Sequence, residues 1–187
     1  SKVGGVLVAD RKVLEFNGTV FEKTIIKYLH SHYPDAVLLH DRELFSHFLG
    51  KNTQVDLIMI HEKGVFVIEA KGWKRWVRGN YNDMKWSGMS SVTNVMDVFS
   101  PVNQNFIHIR AVRNAIRREL GKEPVPFYNV VCLPDGTVLD TDCDCVVNLS
   151  RLSMWIDSAM IRSGLKLDTE VYRDMIESVT TRGNRLD

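Results

Sequence analysis

The clearest pattern of hydrophobic and polar positions is a pair of apolar runs separated by a short polar turn. The first run extends from Gln54 to His61 and the second from Gly64 to Lys71, with Glu62 and Lys63 between them. Short runs rich in β-branched residues on either side of a turn are typical of a β-hairpin. Because the apolar residues continue with few polar interruptions, the pattern predicts central strands that are covered on both faces.

Apolar residues at helical spacing predict helices before and after this hairpin. The first helix is predicted at about Thr19 to Ser31, and a second begins at Ser100-Pro101 and ends at Gly121. The region with Trp73, Trp76 and Trp86 is predicted to be rich in loops, with its tryptophans mainly in the core. Further strands are predicted at Ala36–His40, Leu44–Phe48, Phe127–Leu133 and Cys145–Leu149, and further helices at Leu152–Ile161 and Thr169–Val179. The chain is therefore predicted to be an α/β protein.

The charge balance argues against a protein that coats nucleic acid over its whole surface. The chain has 24 Lys and Arg against 23 Asp and Glu, a formal net charge of +1. Between Lys71 and Lys122, however, ten basic residues stand against three acidic ones. Arg110, Arg113 and Arg117 form a stripe on the second helix that either binds phosphates or is a solvated helix face.

Three cysteines, Cys132, Cys143 and Cys145, make an odd number, which argues against a disulfide framework and favours the cytoplasm. Their spacing does not match a zinc site, so we interpret them as plain thiols. No run approaches the roughly 20 apolar residues needed to cross a bilayer, so a soluble protein without a membrane partner is expected.

The hairpin also carries three charged side chains inside its apolar runs. A two-residue turn places Asp56 opposite Glu69, whereas a bulge at Gly64 would shift that register by one. Lys71 lies two positions beyond Glu69, hence on the same face. Carboxylates that converge in an apolar sheet are costly unless a hard cation neutralises them, and such oxygens suit Mg²⁺. Taken singly, each charged residue has a plainer interpretation, a solvated edge position or a simple ion pair.

Asp56, twelve intervening residues and then Glu69-Ala70-Lys71 resemble the signature of PD-(D/E)XK nucleases. The longer string from Gln54 to Trp73 resembles the NERD (nuclease-related) domain, as do Glu22 and the pattern Pro101-x-x-Gln104. The resemblance covers about residues 17–133 of a single predicted domain at 1–187, in which residues 150–187 form a C-terminal helical part.

This resemblance implies a restriction-endonuclease-like core, with a mixed central β-sheet flanked by α-helices. It implies a divalent metal at Asp56, Glu69 and the main-chain carbonyl of Ala70, with Lys71 as the catalytic lysine. Glu22 would be a further acidic residue that faces the site, although it can equally form a capping box with Thr19. Gln104 would be a polar contact near metal, water or substrate. Ser100 departs from the asparagine that the family more often has before Pro101.

The predicted function is therefore a metal-dependent nuclease that hydrolyses phosphodiester bonds, most readily in DNA, with Mg²⁺ and with Mn²⁺ able to replace it. Arg110, Arg113 and Arg117, together with Lys74 and Arg75 after the hairpin, are the predicted nucleic-acid contacts. One alternative is a non-catalytic module that binds nucleic acid or recruits a partner. A second is a structure-selective resolvase, which would be a stable homodimer.

Overall fold

The computed structural model describes residues 19–89, 95–122 and 124–182, with backbone alone for the last two. Helix α1 occupies residues 19–32. The other helices are α2 (Pro101–Ala115), α3 (Arg117–Leu120), α4 (Leu152–Met160) and α5 (Thr169–Val179), and a 3₁₀ turn spans Leu149–Arg151. The strands are β1 (Val37–Ser46), β2 (Lys51–His61), β3 (Gly64–Ala70), β4 (Trp76–Arg78), β5 (Lys85–Met89), β6 (Met96–Phe99), β7 (Phe127–Leu133), β8 (Val138–Asp140), β9 (Val146–Asn148) and β10 (Thr181–Arg182).

A six-stranded mixed sheet forms the centre of the fold, in the order β10-β1-β2-β3-β7-β9. Strands β1, β2 and β3 run antiparallel, whereas β7 and β9 continue the sheet in parallel with β3. Every residue of β3 is buried, because helices cover both faces of the sheet. The predicted α/β class and the central position of the hairpin are therefore confirmed.

The two faces of the sheet are covered by different helices. On one face, Ile25 and Leu29 of α1 and Ile156 of α4 pack against Leu57 and Phe66. On the other face, Val112 of α2 and Ile176 of α5 pack against Ile58, Ile60 and Val67. Burying this much apolar surface on both sides makes the hairpin a rigid support for whatever lies at its end.

The β2–β3 register is the one that a two-residue turn predicts. His61 pairs with Gly64, and the ladder continues to the pair of Leu57 and Ile68, so the sheet has no bulge at Gly64. The next step along this register would pair Asp56 with Glu69, but the ladder stops one pair earlier. The ladder between the two strands therefore ends where the two buried carboxylates begin.

The pairing of β1 with β2 is interrupted at the same level. It runs regularly to the pair of His40 and Leu57 and resumes at Arg42 and Val55, which skips Asp41 and Asp56. Asp41 has a φ of 50°, a left-handed conformation that a strand does not otherwise contain. The two predicted segments Ala36–His40 and Leu44–Phe48 are consequently one strand with a local distortion. The sequence pattern predicted two strands because it is interrupted around the irregular residue Asp41.

A second, four-stranded sheet replaces the predicted loop-rich region, in the order β6-β5-β4-β8. Trp73 and Trp86 are buried there in a small core with Val77 and Leu133, as predicted, whereas Trp76 is only half-buried. The sheet itself was not predicted. Its strands contain only three to five residues, which is too short for an alternating pattern to emerge.

Gly88 gives a direct test of the core of this sheet. A Cβ atom added at Gly88 would lie 2.6 Å from two ring atoms of the buried Trp73. We therefore expect Gly88→Ala to lower the free energy of unfolding by about 1–3 kcal/mol, the usual range for overpacking. Chemical denaturation measures this change, with Gly164→Ala as the control because a Cβ there meets nothing within 4 Å. Equal stability of the two variants would contradict the close packing of Trp73 on β5.

The predicted helix from Pro101 to Gly121 is divided in two. Helix α2 ends at Ala115, Ile116 adopts φ −103° and ψ 14°, and α3 follows as a single turn. Nothing in the local sequence explains this break.

In the part of the chain that the structure describes, no helix is both long and apolar enough to cross a membrane.

Candidate active site

Asp56 and Glu69 lie inside the protein, at the point where β2 and β3 separate. They are 4% and 3% exposed, which is unusual for carboxylates without a compensating partner. The backbone N–H of Ala70 donates to Asp56 Oδ2 at 3.0 Å. Because the N–H and C=O of one strand residue point to the same side, the Ala70 carbonyl also faces the edge where Asp56 lies.

Lys71 reaches from the end of β3 towards helix α2. Its Nζ lies 2.8 Å from Glu69 Oε1 and donates to Gln104 Oε1 at 3.1 Å. These contacts place Lys71, Glu69 and Gln104 together on the α2 face of the sheet. The ammonium group is thus held between a carboxylate and an amide, while part of the side chain remains exposed to solvent.

His108 is a further residue of this cluster that the sequence reasoning missed. Its Nδ1 lies 3.3 Å from Glu69 Oε2, and both side chains are almost fully buried. Among the described residues, neither atom makes a hydrogen bond of good geometry, so the contact is one of proximity. A signal was present, because Gln104 and His108 are four residues apart and share one face of α2.

The surroundings of Glu69 keep it ionised. Burial by itself raises the pKa of Glu69, but the charge of Lys71 and the contacts with His108 outweigh it and lower the pKa to about 2. Glu69 is therefore ionised at neutral pH, beside the ammonium of Lys71. A carboxylate in this state is ready to bind a cation without first losing a proton.

The oxygen atoms at this edge fit a hard divalent cation. Asp56, Glu69 and the Ala70 carbonyl supply only oxygen ligands, and Glu69 Oε2 is a buried oxygen that still lacks a hydrogen bond. Within the described residues, no group of three or more His, Cys, Asp or Glu side chains is arranged to hold a metal. The arrangement fits Mg²⁺, which uses one or two carboxylates and fills its remaining positions with water or phosphate.

Glu22 is buried on α1, at 7% exposure. Its neighbours Phe21 and Ile25 belong to the same apolar cluster as Ala70, on the face of the sheet opposite His108 and the α2 cluster. Residue 19 is helical and is the first residue that the structure describes, so the capping-box alternative for Glu22 also stays a prediction. The active-site role of Glu22 stays a prediction.

Helix α2 is fixed to the sheet at its beginning and in its first turns. Ser100 caps the helix by accepting a hydrogen bond from the backbone N–H of Asn103 at 3.2 Å, so serine does here what asparagine can do. Asn105 is buried and donates from Nδ2 to the carbonyl of Val67 at 2.7 Å and to Asn129 Oδ1 at 2.8 Å. These bonds fix the position along β3 at which Gln104 and His108 contact the sheet.

A cleft of about 1270 Å³ opens beside the cluster. Of the predicted site residues, Lys71, Gln104, Arg110 and Arg113 line it, as does His108. Arg117 lies beyond the helix break on α3, and Lys74 and Arg75 are exposed just after the hairpin. These last three are not among the described residues that line the cleft. The structure thus gathers the first two arginines of the predicted stripe at the site, and separates the third from them.

The cysteines lie on β7 and between β8 and β9, and Cys132 pairs with Ala70 in the central sheet. Cys132 and Cys143 are buried, Cys145 is half-buried, and all three are free thiols. Burial is the main reason that the pKa of each thiol is raised, to about 12 for Cys145. Thiols in this state are poor nucleophiles and poor metal ligands at neutral pH, which agrees with their interpretation as plain thiols.

Comparison with known proteins places this arrangement in a family. An uncharacterized protein of Bacillus anthracis is 30% identical over 115 residues, which are 60% of this chain and 53% of that protein. The chain thus spans about half the length of the curated relative that it matches. No solved structure matches the chain. The nuclease-related domain model matches residues 17–134, a region that contains the hairpin, Glu22 and helix α2. A placement in the PD-(D/E)XK superfamily is consistent with this match. The chain therefore belongs to the NERD (nuclease-related domain) family.

Proposed function

We propose that this protein is a divalent-metal-dependent nuclease that hydrolyses phosphodiester bonds, with DNA as the preferred substrate. The observation that carries the proposal is the convergence of Asp56, Glu69 and Lys71 at the end of one hairpin, beside a cleft lined by arginines. Each of these charges costs free energy in an apolar sheet, so their burial together is evidence for a functional site. Membership of the nuclease-related family supports the same reaction class.

Asp56, Glu69 and the Ala70 carbonyl would hold the cation, Mg²⁺ or in its place Mn²⁺. When bound, such a cation supplies a more acidic water and offsets negative charge on the phosphate. Every other contribution comes from the chain itself. The fixed hydrogen bond between Ala70 N–H and Asp56 Oδ2 holds that carboxylate in one orientation, so the oxygen ligands need not reorganise.

Lys71 is the group that reaches from the carboxylates into the cleft. Its ammonium can orient the attacking water and stabilise charge that grows on the phosphate oxygens. Gln104 accepts a hydrogen bond from Lys71 and so positions it, and His108 lies 3.3 Å from the second oxygen of Glu69. Glu22 would add a further acidic group from α1, and Lys74, Arg75 and Arg117 would bind phosphates outside the cleft.

Cleavage should require magnesium or manganese and should stop when a chelator is added, because the buried carboxylates need a hard cation to act on phosphate. The experiment incubates labelled linear, circular and single-stranded DNA with the protein, with and without each metal. Calcium should occupy the site without supporting turnover. Undiminished cleavage in excess chelator by a clean preparation would refute the metal mechanism. Binding of DNA without cleavage in any metal would favour the non-catalytic binding module.

A further inference from the structure

The cleft beside the active site is lined by three separate segments of the chain. The first is the turn between β1 and β2 with the start of β2, the second is the edge of the small sheet, and the third is helix α2 with neighbouring residues. Lys51, Lys71, Arg110 and Arg113 contribute positive charge to it, and none of the described residues that line it is Asp or Glu. The cleft is therefore built for a negatively charged ligand.

Large aromatic side chains stand exposed around the same cleft. Phe48 is 64% exposed, Tyr81 is 56%, Phe99 is 44% and Phe106 is 39%, and all four line the cleft. Scattered exposed rings are ordinary on a protein surface, but a set that surrounds one cleft marks a binding surface. The occupant must therefore combine negative charge with flat apolar faces.

The cations and rings are interleaved rather than segregated. The guanidinium of Arg110 lies over the ring of Phe48 at 5.3 Å from its centroid, and that of Arg113 lies over Phe127 at 5.6 Å. Tyr81 and Phe106 meet edge to face, with ring centroids 6.5 Å apart. A chain whose phosphates and bases alternate matches this arrangement, since phosphates pair with the arginines and bases stack on rings and guanidinium planes.

The exposed aromatic rings of the cleft favour a single strand over a duplex as its ligand. In a duplex the faces of the bases are covered by their stacked neighbours, so exposed aromatic side chains gain little from it. In a single strand every base offers a face for stacking, which is worth about 1–3 kcal/mol per base. An arginine-lined groove without such rings would serve a duplex equally well.

We infer that this cleft binds unpaired, single-stranded nucleic acid, with Phe48 and Tyr81 as stacking platforms and with Arg110 and Arg113 on its phosphates. This inference rests on the proposed function, because Lys71 and Gln104 line the same cleft and the bound strand would lie across the catalytic cluster. It adds the substrate class, a single strand or an unpaired end.

The test measures binding by fluorescence anisotropy, with a short labelled oligodeoxynucleotide and its duplex form, in chelator so that no cleavage occurs. The single strand should bind at least about tenfold more tightly than the duplex. Phe48→Ala and Tyr81→Ala should each weaken single-strand binding by about fivefold or more, the lower end of the value for one stacked base. Tyr81→Phe, which keeps the ring, should bind as the unaltered protein does.

Phe45→Ala is the matched control, since Phe45 is 48% exposed but is not among the described residues lining the cleft. All these side chains are well exposed, so thermal unfolding should be unchanged. Equal or tighter binding of the duplex would overturn the inference, as would aromatic variants that bind like the control. The two proposals fail separately. Single-strand binding without cleavage in magnesium refutes the nuclease and supports the cleft assignment, whereas magnesium-dependent cutting confined to duplex does the reverse.

Discussion

Lys71→Ala should lower the rate of DNA cleavage by at least about a hundredfold, which is the usual cost of removing one group that stabilises transition-state charge. The variant should still fold, because the lysine side chain is 21% exposed and water can replace its ammonium. Magnesium binding should survive, since Lys71 is not a ligand in the proposed site. A cleavage assay together with a thermal-shift titration with magnesium separates these two effects.

Glu69→Ala should abolish cleavage as well, but it should also weaken magnesium binding, because Glu69 is proposed as a ligand. Its metal-free stability should fall. The carboxylate forms an ion pair with Lys71 and packs against His108, so its removal takes away that ion pair and leaves a gap beside His108. Glu69→Gln, which keeps the shape of the side chain, distinguishes loss of charge from loss of packing.

Lys166→Ala, on an exposed loop before α5, is the control for both variants and should cut at the unaltered rate. If Lys71→Ala also cuts at that rate, the catalytic lysine is misassigned. If Glu69→Ala binds magnesium as tightly as the unaltered protein, the metal must lie elsewhere.

Replacement of Arg110, Arg113 and Arg117 by alanine should weaken DNA binding and flatten its dependence on salt. Each phosphate contact that is lost should reduce the slope of log K against log salt by about 0.7 for a single strand. Most of the change should come from Arg110 and Arg113, which line the cleft, and least from Arg117 on α3. Binding isotherms at several salt concentrations give the slope.

Two further variants make the arginine experiment decisive. Arg110→Lys with Arg113→Lys keeps both charges, so the slope should be retained even where the affinity falls with the loss of planar stacking. Arg173→Ala, on the exposed face of α5 where it pairs with Glu170, should change nothing. A slope that stays the same in the alanine variant would show that the arginines form a solvated helix face.

The sequence was most informative where burial and chain geometry leave few choices. Two apolar runs and a two-residue turn were enough to predict the β2–β3 register and the shared face of Glu69 and Lys71, because the turn length fixes the register and side chains alternate with a period of two. The start of α2 followed from a proline in its first turn. Both are local rules that depend on neighbouring residues.

The features that were missed depend on contacts between distant residues. Strands β4 and β8 are three residues long and pair in parallel across about sixty residues of chain, so neither carries a readable pattern alone. The apolar stripe on α2 continues through Ile116, which conceals the break there. His108 is one of six histidines, and its four-residue spacing from Gln104 gains meaning only when the packing of α2 on β3 brings it to Glu69.

The segment after residue 134 changes what counts as the folding unit of this protein. The family match ends there, yet both outermost strands of the central sheet, β9 and β10, come from later in the chain. So does β8, which completes the small sheet beside β4. The matched region alone would expose the hydrogen-bonding edges of β1, β4 and β7, and open edges of this kind promote aggregation. The cluster of Asp56, Glu69 and Lys71 and the strands that cover these sheet edges are thus encoded in different parts of the chain.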